Sequence, residues 1–170
     1  TGTRADRRRA LDMEDMKKVF ARLLQSAAIP PGMRGAQELF IFMFLLRGLP
    51  FVDLAYLRKS DLRGDVITYR RRKTGRPLSV TLTPEAMFLL QKYMNRDKRS
   101  PYLFPILRSA EGSPEAYREY QLALRHFNYQ LELLGRFLGL KDRLSSYTAR
   151  HTWATTAYYC EIHPGIISEA

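Results

Sequence analysis

One stretch of this sequence alternates apolar and polar residues, and it constrains the fold more than any other. The alternating segments are 65–72, which reads DVITYRRR, and 77–82, which reads PLSVTL. They flank the short segment Lys73-Thr74-Gly75-Arg76, and this arrangement predicts a β-hairpin. Elsewhere the apolar residues recur every three or four positions, which is typical of helices. The sequence therefore predicts a mostly α fold with a small antiparallel β-hairpin or sheet, in the α+β class.

Helices are predicted on both sides of this hairpin. Asp12 and Asp15 form a candidate capping pair for the first helix, which the prolines at 30 and 31 must end. The second helix is apolar all round over 39–46 and is expected at the centre of the fold. Pro50 suits the first position of a short third helix. The approximate predicted ranges are 12–28, 34–47, 50–57, 83–97, 113–138 and 145–162.

The net charge indicates what the chain binds. Twenty-eight Lys and Arg against 17 Asp and Glu give a formal charge of +11, which makes a polyanion the default partner. The segment 58–76 alone carries eight basic and two acidic residues. Such a patch suits a face that contacts a nucleic-acid backbone. The same composition also fits RNA or an anionic lipid surface.

Composition also excludes several classes of protein. The chain has 170 residues, enough for one domain with a core, and no apolar run long enough for a membrane span. No signal-peptide pattern is found, so a cytoplasmic protein without membrane contact is expected. Cys160 is the only cysteine, which excludes an intrachain disulfide and a CxxC metal pair. No ligand set for a metal is found, and neither metal nor cofactor is predicted.

An arginine lies in the last predicted helix, which otherwise reads as buried. Ala149, Trp153, Ala157 and Cys160 form its apolar stripe, and Arg150 lies on a neighbouring face. A guanidinium one turn from a helix start is well placed to bind a phosphate through two parallel hydrogen bonds. The alternative is a core helix whose arginine snorkels to solvent or pairs with a carboxylate.

Three segments resemble the tyrosine recombinases, the phage-integrase family of DNA strand-exchange enzymes. The segment "SYTARHTWAT" resembles the family's H-x-x-R-H-[ST]-[FW]-A-T motif, and "YRRRKTGRPLSVTL" is similar to its strand-turn-strand, whose turn presents a lysine to DNA. The segment "LLRGLPFVDLAYLRKSDL" is similar to G-[LM]-R-x-x-E-L-x-x-L-x-x-x-D. The three occur in the family's order and cover most of the chain.

The resemblance implies roles for individual residues. Arg150 would bind the scissile phosphate, and Lys73 would protonate the departing 5′ oxygen as a general acid. His151 follows Arg150 as in the family, where that residue is usually structural, and we expect it to form hydrogen bonds in the core. The hairpin arginines would contact the DNA backbone. They are Arg70, Arg71, Arg72 and Arg76.

The sequence departs from the family pattern at two positions. Pro50 stands where the family has its first arginine, and Arg47 is expected to reach the same phosphate instead. Pairing of Arg47 with Asp53 is the alternative. Tyr147 stands where the family usually has a histidine. A phenol can donate a hydrogen bond to a phosphate oxygen but is a poor proton shuttle at neutral pH, so Tyr147 is expected to bind rather than to act as a base.

The family implies a partner and an architecture. The partner is double-stranded DNA, cut through a 3′-phosphotyrosyl intermediate without metal, and the protein is expected to form an oligomer only when full-length on DNA. Residues 1–10 are expected to be a basic linker or arm from an upstream DNA-binding domain. Residues 11–170 are expected to be a catalytic domain that stops before the nucleophilic tyrosine, which would leave this chain inactive alone. Tyr158 and Tyr159 would be packing residues.

Two other classes of protein, the serine β-lactamases and the P-loop proteins, are excluded because the sequence lacks their motifs. The tripeptide Lys73-Thr74-Gly75 also occurs in serine β-lactamases, but no serine here is followed three positions later by a lysine. A P-loop is excluded because no Gly-x-x-x-x-Gly-Lys is present. The alternatives left open are a non-enzymatic basic DNA-binding domain and a domain that binds RNA or anionic lipid.

Overall fold

A computed structural model describes residues 10–21 and 29–162, with side chains as far as residue 156. The described part is mostly helical with one small antiparallel sheet, which confirms the predicted fold class. A 3-10 turn at Lys59–Asp61 precedes the sheet. The elements in chain order are α1 Met13–Phe20, α2 Pro31–Leu45, α3 Phe51–Tyr56, β1 Leu62–Arg63, β2 Val66–Arg70, β3 Pro77–Thr81, α4 Pro84–Tyr93, α5 Pro114–Leu138 and α6 Ser146–Ile162.

The sheet is the predicted hairpin with one short strand added. Its order is β1-β2-β3, all antiparallel, and Ile67 pairs with Val80 on the buried side. On the opposite side, the hydroxyls of Thr68 and Ser79 lie 3.1 Å apart in solvent. Strand β1 was not predicted because two residues are too few to show a period of two. The alternation therefore sets which face of the hairpin packs on the core.

Helix α2 lies at the centre of the molecule, as its all-round apolar pattern predicted. Phe40, Phe42 and Met43 are buried, and the helix packs against α4, α5 and α6. The ring of Phe42 meets that of Phe104 edge to face at 5.3 Å. At the C-terminal end of α2 the chain turns through Arg47 and Gly48 into α3. Because α6 packs on this end, it is well placed to build a site with α3.

Of the two predicted capping residues, the structure confirms Asp12 and gives Asp15 another partner. Asp12 caps α1 by accepting a hydrogen bond from the Asp15 N–H at 2.8 Å. The Asp15 carboxylate is fully buried and accepts the N–H of Lys141 at 3.2 Å. In addition, the Leu11 N–H donates to the Thr152 hydroxyl at 3.1 Å. The start of the described chain is therefore tied to α6 and to the loop before it.

Several predicted boundaries shift. Helix α4 ends at Tyr93 rather than near Asp97, because Met94 is extended and the Asn95 N–H bonds to the Leu103 carbonyl at 2.7 Å. Leu122 is an apolar residue of α5, yet its side chain is 61% exposed. The predicted end of the first helix at 22–28 and the break at 163–165 lie outside the described residues. None of the described helices is long and apolar enough to cross a membrane.

Candidate phosphate-binding site

Helix α6 is seated against the turn that follows α2 by a close backbone approach at Gly48. Gly48 has φ +72°, and a Cβ there would lie 2.9 Å from the Arg150 Cα. The Arg150 Nη1 donates a hydrogen bond to the Gly48 carbonyl oxygen at 3.3 Å. Both the backbone conformation and the contact therefore require glycine, and the same contact fixes where the Arg150 side chain begins.

The first turn of α6 is anchored to its neighbours through polar groups. The Ser145 N–H donates to the Thr148 hydroxyl at 3.0 Å, and the Ser146 N–H donates to the Asn128 side-chain oxygen of α5 at 2.8 Å. Thr148 and Ala149 are buried, whereas Tyr147 is 57% exposed. The buried side of the turn thus holds the helix, and Tyr147 is left facing outward.

A cavity of about 240 Å³ joins three of the predicted catalytic residues, although they come from two distant segments of the chain. Lys73 enters it from the hairpin turn, and Arg150 and Tyr147 enter it from α6. Arg71 and Asp53 also line it, the latter from α3. Three cationic side chains and one carboxylate therefore face one small space, a combination suited to a phosphate.

Asp53 is the buried acidic group of this site. It is 4% exposed, and its Oδ1 accepts the backbone N–H of Arg72 at 3.0 Å. Burial raises the pKa of Asp53, while the Arg72 hydrogen bond and the charges of Arg71, Arg72 and Arg150 act in the opposite direction. The Asp53 carboxylate thus holds the hairpin by its backbone and lies in the electrostatic reach of the site's guanidiniums. The alternative prediction paired Asp53 with Arg47. No hydrogen bond is found between these two described residues.

Arg71 differs from its neighbours in the hydrogen bonding of its side chain within the described part of the chain. Its Nε is buried and makes no hydrogen bond there. Its charge nevertheless acts on both Asp53 and Tyr69. A buried guanidinium nitrogen without an acceptor is costly, and an anion in the cavity would provide acceptors for this group.

Arg72, by contrast, is held at three points. Its guanidinium carbon lies 3.7 Å from the ring centroid of Tyr56, and its Nη1 lies 3.2 Å from the Glu111 carboxylate. Its backbone N–H is bound to Asp53. The hairpin arginines predicted to contact DNA are therefore not equivalent.

Arg47 lies in a different place from the other predicted catalytic residues. It is exposed, has φ +59°, and lines a separate cavity of about 470 Å³ with Trp153 and Thr156. That cavity shares no lining residue with the cavity of Arg150 and Lys73. Pro50, which stands where the family has its first arginine, lines the cavity of Arg150. The structure does not bring Arg47 into the site with Arg150.

The remaining predicted residues lie around the site. The His151 ring packs edge to face on Tyr147 at 4.2 Å. Arg70 donates to the Gly75 carbonyl at 3.1 Å and so braces the hairpin turn, on which Arg76 is exposed. Within the described residues, no group of three or more His, Cys, Asp or Glu side chains is placed to hold a metal.

Sequence reasoning missed two contributors. Tyr56 and Glu111, which hold Arg72, belong to no motif, and Glu111 lies in the loop before α5. Asp53 was singled out only as a motif match and as a possible partner of Arg47. The signal for its role was present, because an acidic residue in an apolar helix needs a partner.

Comparison with solved structures shows a similarity of fold. No family model and no curated protein sequence matches this chain. The fold is similar to the crystal structure of XerA recombinase, with a TM-score of 0.55 and 19% sequence identity over 88% of this chain. The chain spans about half of that protein, since the match covers 50% of it. At this identity the similarity concerns the fold, so this chain has a fold that a recombinase also has.

Proposed function

We propose that this chain is the catalytic part of a tyrosine-type site-specific recombinase, which binds duplex DNA and supports strand cleavage and rejoining through a 3′-phosphotyrosyl link. One observation carries the proposal: Arg150, Arg71 and Lys73 face a single cavity, although the hairpin and α6 lie far apart in sequence. The shared fold with XerA recombinase supports it independently.

The proposed chemistry assigns one task to each group. Arg150 and Arg71 donate hydrogen bonds to the non-bridging oxygens of the scissile phosphate and neutralise the charge that grows in the pentacoordinate transition state. Lys73 gives a proton to the departing 5′ oxygen. Tyr147, which lines the same cavity, donates a hydrogen bond to the phosphate. Asp53 orients the hairpin through the Arg72 N–H.

The proposal assigns the nucleophilic role to none of Tyr69, Tyr147, Tyr158 and Tyr159, and Tyr147 keeps its role as a hydrogen-bond donor to the phosphate. Burial raises the pKa of Tyr69 to about 12, so its phenol resists the deprotonation that an attacking tyrosine needs. Tyr158 and Tyr159 belong to α6 and lie about 12 Å along the helix from Arg150 at ~1.5 Å per residue. The proposal takes the nucleophile to be a tyrosine that follows the Arg150 motif in the chain, as the family's order of motifs implies.

A binding protein without catalysis is the second candidate. Pro50 and Tyr147 replace two residues of the family's site, and both line the cavity. Such a chain would keep the affinity for a phosphate and lose the chemistry. The two candidates share the DNA partner and differ in the covalent step.

The experiment uses this chain and the full-length protein on the same DNA. Binding of this chain to duplex DNA, RNA and anionic vesicles is compared first, and we expect duplex DNA to be preferred, with an affinity that falls steeply with salt. A nicked suicide duplex is then incubated with each protein. We expect a covalent adduct only with the full-length protein; an adduct with neither would favour the binding protein. An adduct with this chain that is lost in Tyr158→Phe or Tyr159→Phe would place the nucleophile in α6 instead.

A further inference from the structure

A second cluster of arginine side chains lies beside the cavity of Arg150, and the carboxylate of Glu111 occupies it. The Glu111 carboxylate lies between two guanidiniums: one oxygen is 3.0 Å from Arg58 Nη2 and 3.1 Å from Arg58 Nε, and the other is 3.2 Å from Arg72 Nη1. The three side chains border a cavity of about 660 Å³ that Arg70 and Arg71 also line. Two arginines that converge on a pair of oxygens form the arrangement with which proteins bind phosphates.

Both arginines keep their positions through contacts that do not involve Glu111. The Arg58 backbone N–H donates a hydrogen bond to the Asp61 carboxylate at 2.8 Å, and Arg58 forms a β-bridge with Tyr102. Arg72 is stacked on Tyr56 and bound through its N–H to Asp53. Removal of Glu111 therefore leaves the Arg58 backbone and the Arg72 side chain supported.

Glu111 itself has few other constraints. It lies in the short turn before α5, next to Gly112 with φ +87°. Its hydrogen bonds to other described residues are those with Arg58 and Arg72. The three side chains are between 35% and 41% exposed. Ion pairs with this exposure are weak and exchange readily with other anions.

We propose that Arg58 and Arg72 form a second binding site for a backbone phosphate of DNA, and that Glu111 occupies this site as an internal anion until DNA displaces it. The inference rests on the proposed function, because the ligand is the DNA backbone. The carboxylate presents two oxygens to the two guanidiniums, and the non-bridging oxygens of a phosphodiester present the same pattern.

The position of the site gives the exchange a consequence. Arg72 lies between Arg71 and Lys73 in the chain, and the two cavities share Arg71 and Asp53 as lining residues. A phosphate on Arg58 and Arg72 therefore binds the hairpin turn that carries the proposed general acid. DNA backbone binding and the placement of Lys73 are coupled through one residue.

The test measures affinity for a generic duplex by fluorescence anisotropy over a range of salt concentrations. Glu111→Gln keeps the shape of the side chain and removes the competing charge. We expect it to raise the affinity several-fold at low salt, because DNA no longer has to displace a carboxylate from the two guanidiniums. The number of phosphates contacted, and with it the slope of log K against log salt, should stay nearly the same. An unchanged or weaker affinity would show that Glu111 anchors the turn, and would overturn the proposal.

Two further variants separate displacement from a general charge effect. Glu132→Gln removes one carboxylate that pairs with Arg136 on α5 at 3.0 Å, so it changes the net charge equally away from the site. It should raise affinity less than Glu111→Gln. Arg58→Ala should weaken binding, and Glu111→Gln should bring a smaller gain in that background than in the wild type. An equal gain with and without Arg58 would count against the site.

The controls also distinguish this inference from the proposed function. Circular dichroism and thermal unfolding establish that each variant is folded. If the wild-type chain binds duplex DNA with a steep salt dependence but Glu111→Gln changes nothing, the second site fails and the proposed function stands. If the folded wild-type chain does not bind duplex DNA, both fail.

Discussion

Arg71 and Pro50 line the same cavity, one from the end of a β-strand and the other from the start of α3. Pro50 has no side-chain group that can bind an anion, whereas the buried Nε of Arg71 makes no hydrogen bond to any described residue. The hairpin thus supplies this cavity with a positive charge, and the start of α3 does not. Arg150 completes the pair of guanidiniums there.

We therefore expect Arg71→Ala to abolish most of the strand cleavage by the full-length protein. Loss of one positioned donor to a transition-state oxyanion typically costs ~10²–10³-fold in rate. Arg47→Ala is the matched control, because Arg47 lines the other cavity, and it should change the rate by less than roughly tenfold if it only contacts the DNA backbone. The rate of covalent adduct formation on a suicide duplex is the measurement. Equal losses of cleavage rate in both variants would mean that Arg47 also acts on the scissile phosphate.

Lys73 is expected to act on the leaving group and not only on binding. Lys73→Ala should lower the cleavage rate of the full-length protein by ~10²–10⁴-fold with ordinary DNA. A substrate with sulfur at the departing 5′ position has a leaving group that needs no proton, so the variant should cleave it nearly as fast as the wild type. If Lys73→Ala remains slow on the sulfur substrate, Lys73 serves binding or positioning instead.

Gly48 should be the glycine most sensitive to substitution. A Cβ at this position would lie 2.9 Å from the Arg150 Cα, and φ is +72°. Gly64 offers a matched control, since φ is +62° but nothing lies within 4 Å of its Cβ position. We expect Gly64→Ala to lower the free energy of unfolding by about 1 kcal/mol from backbone strain alone, and Gly48→Ala by roughly 3 kcal/mol or more. Urea unfolding measures both. Similar losses of unfolding free energy in the two variants would mean that α6 shifts to accommodate the added Cβ without a loss of stability.

The Glu111 pair should make a small contribution to stability that depends on pH. Burial acts to raise the pKa of Glu111, but the hydrogen bonds and charges of Arg58 and Arg72 outweigh it and leave the pKa below the ordinary 4.5. The folded protein therefore binds the proton less readily than the unfolded chain, and the contribution is present above pH 4.5 and lost as the pH falls through the lower, folded value. For a pair this exposed it is at most about 1 kcal/mol.

The measurement compares wild type with Glu111→Gln in urea unfolding at several pH values. The wild type should be the more stable near neutral pH, and the difference should shrink below about pH 4.5, the ordinary value. A difference that persists at low pH would mean that the neutral glutamine disturbs the turn by its shape.

The local elements were within reach of the sequence. Period-two alternation predicted β2 and β3, the apolar run predicted a central α2, and Ser113 with Pro114 marked the start of α5, whose N-cap is Ser113. These features depend on neighbours within one or two turns, and periodicity and capping report on such neighbours directly. The two-residue strand β1 and the early end of α4 depend on contacts with distant segments, which no local pattern shows.

The residue types of the site were also within reach, because an arginine in an apolar helix and a lysine in a basic hairpin turn stand out in the sequence. What the sequence by itself determined is that Arg150, Lys73 and the hairpin arginines are the basic residues of the candidate site. Only the tertiary structure decided that Arg71 faces the cavity of Pro50 and Arg150, that Arg72 is held by Tyr56 and Glu111, and that Arg47 lines another cavity. The physical reason is that the direction of each side chain depends on long-range packing, above all on the approach of α6 to Gly48, and identical arginines in one strand cannot be told apart by local sequence.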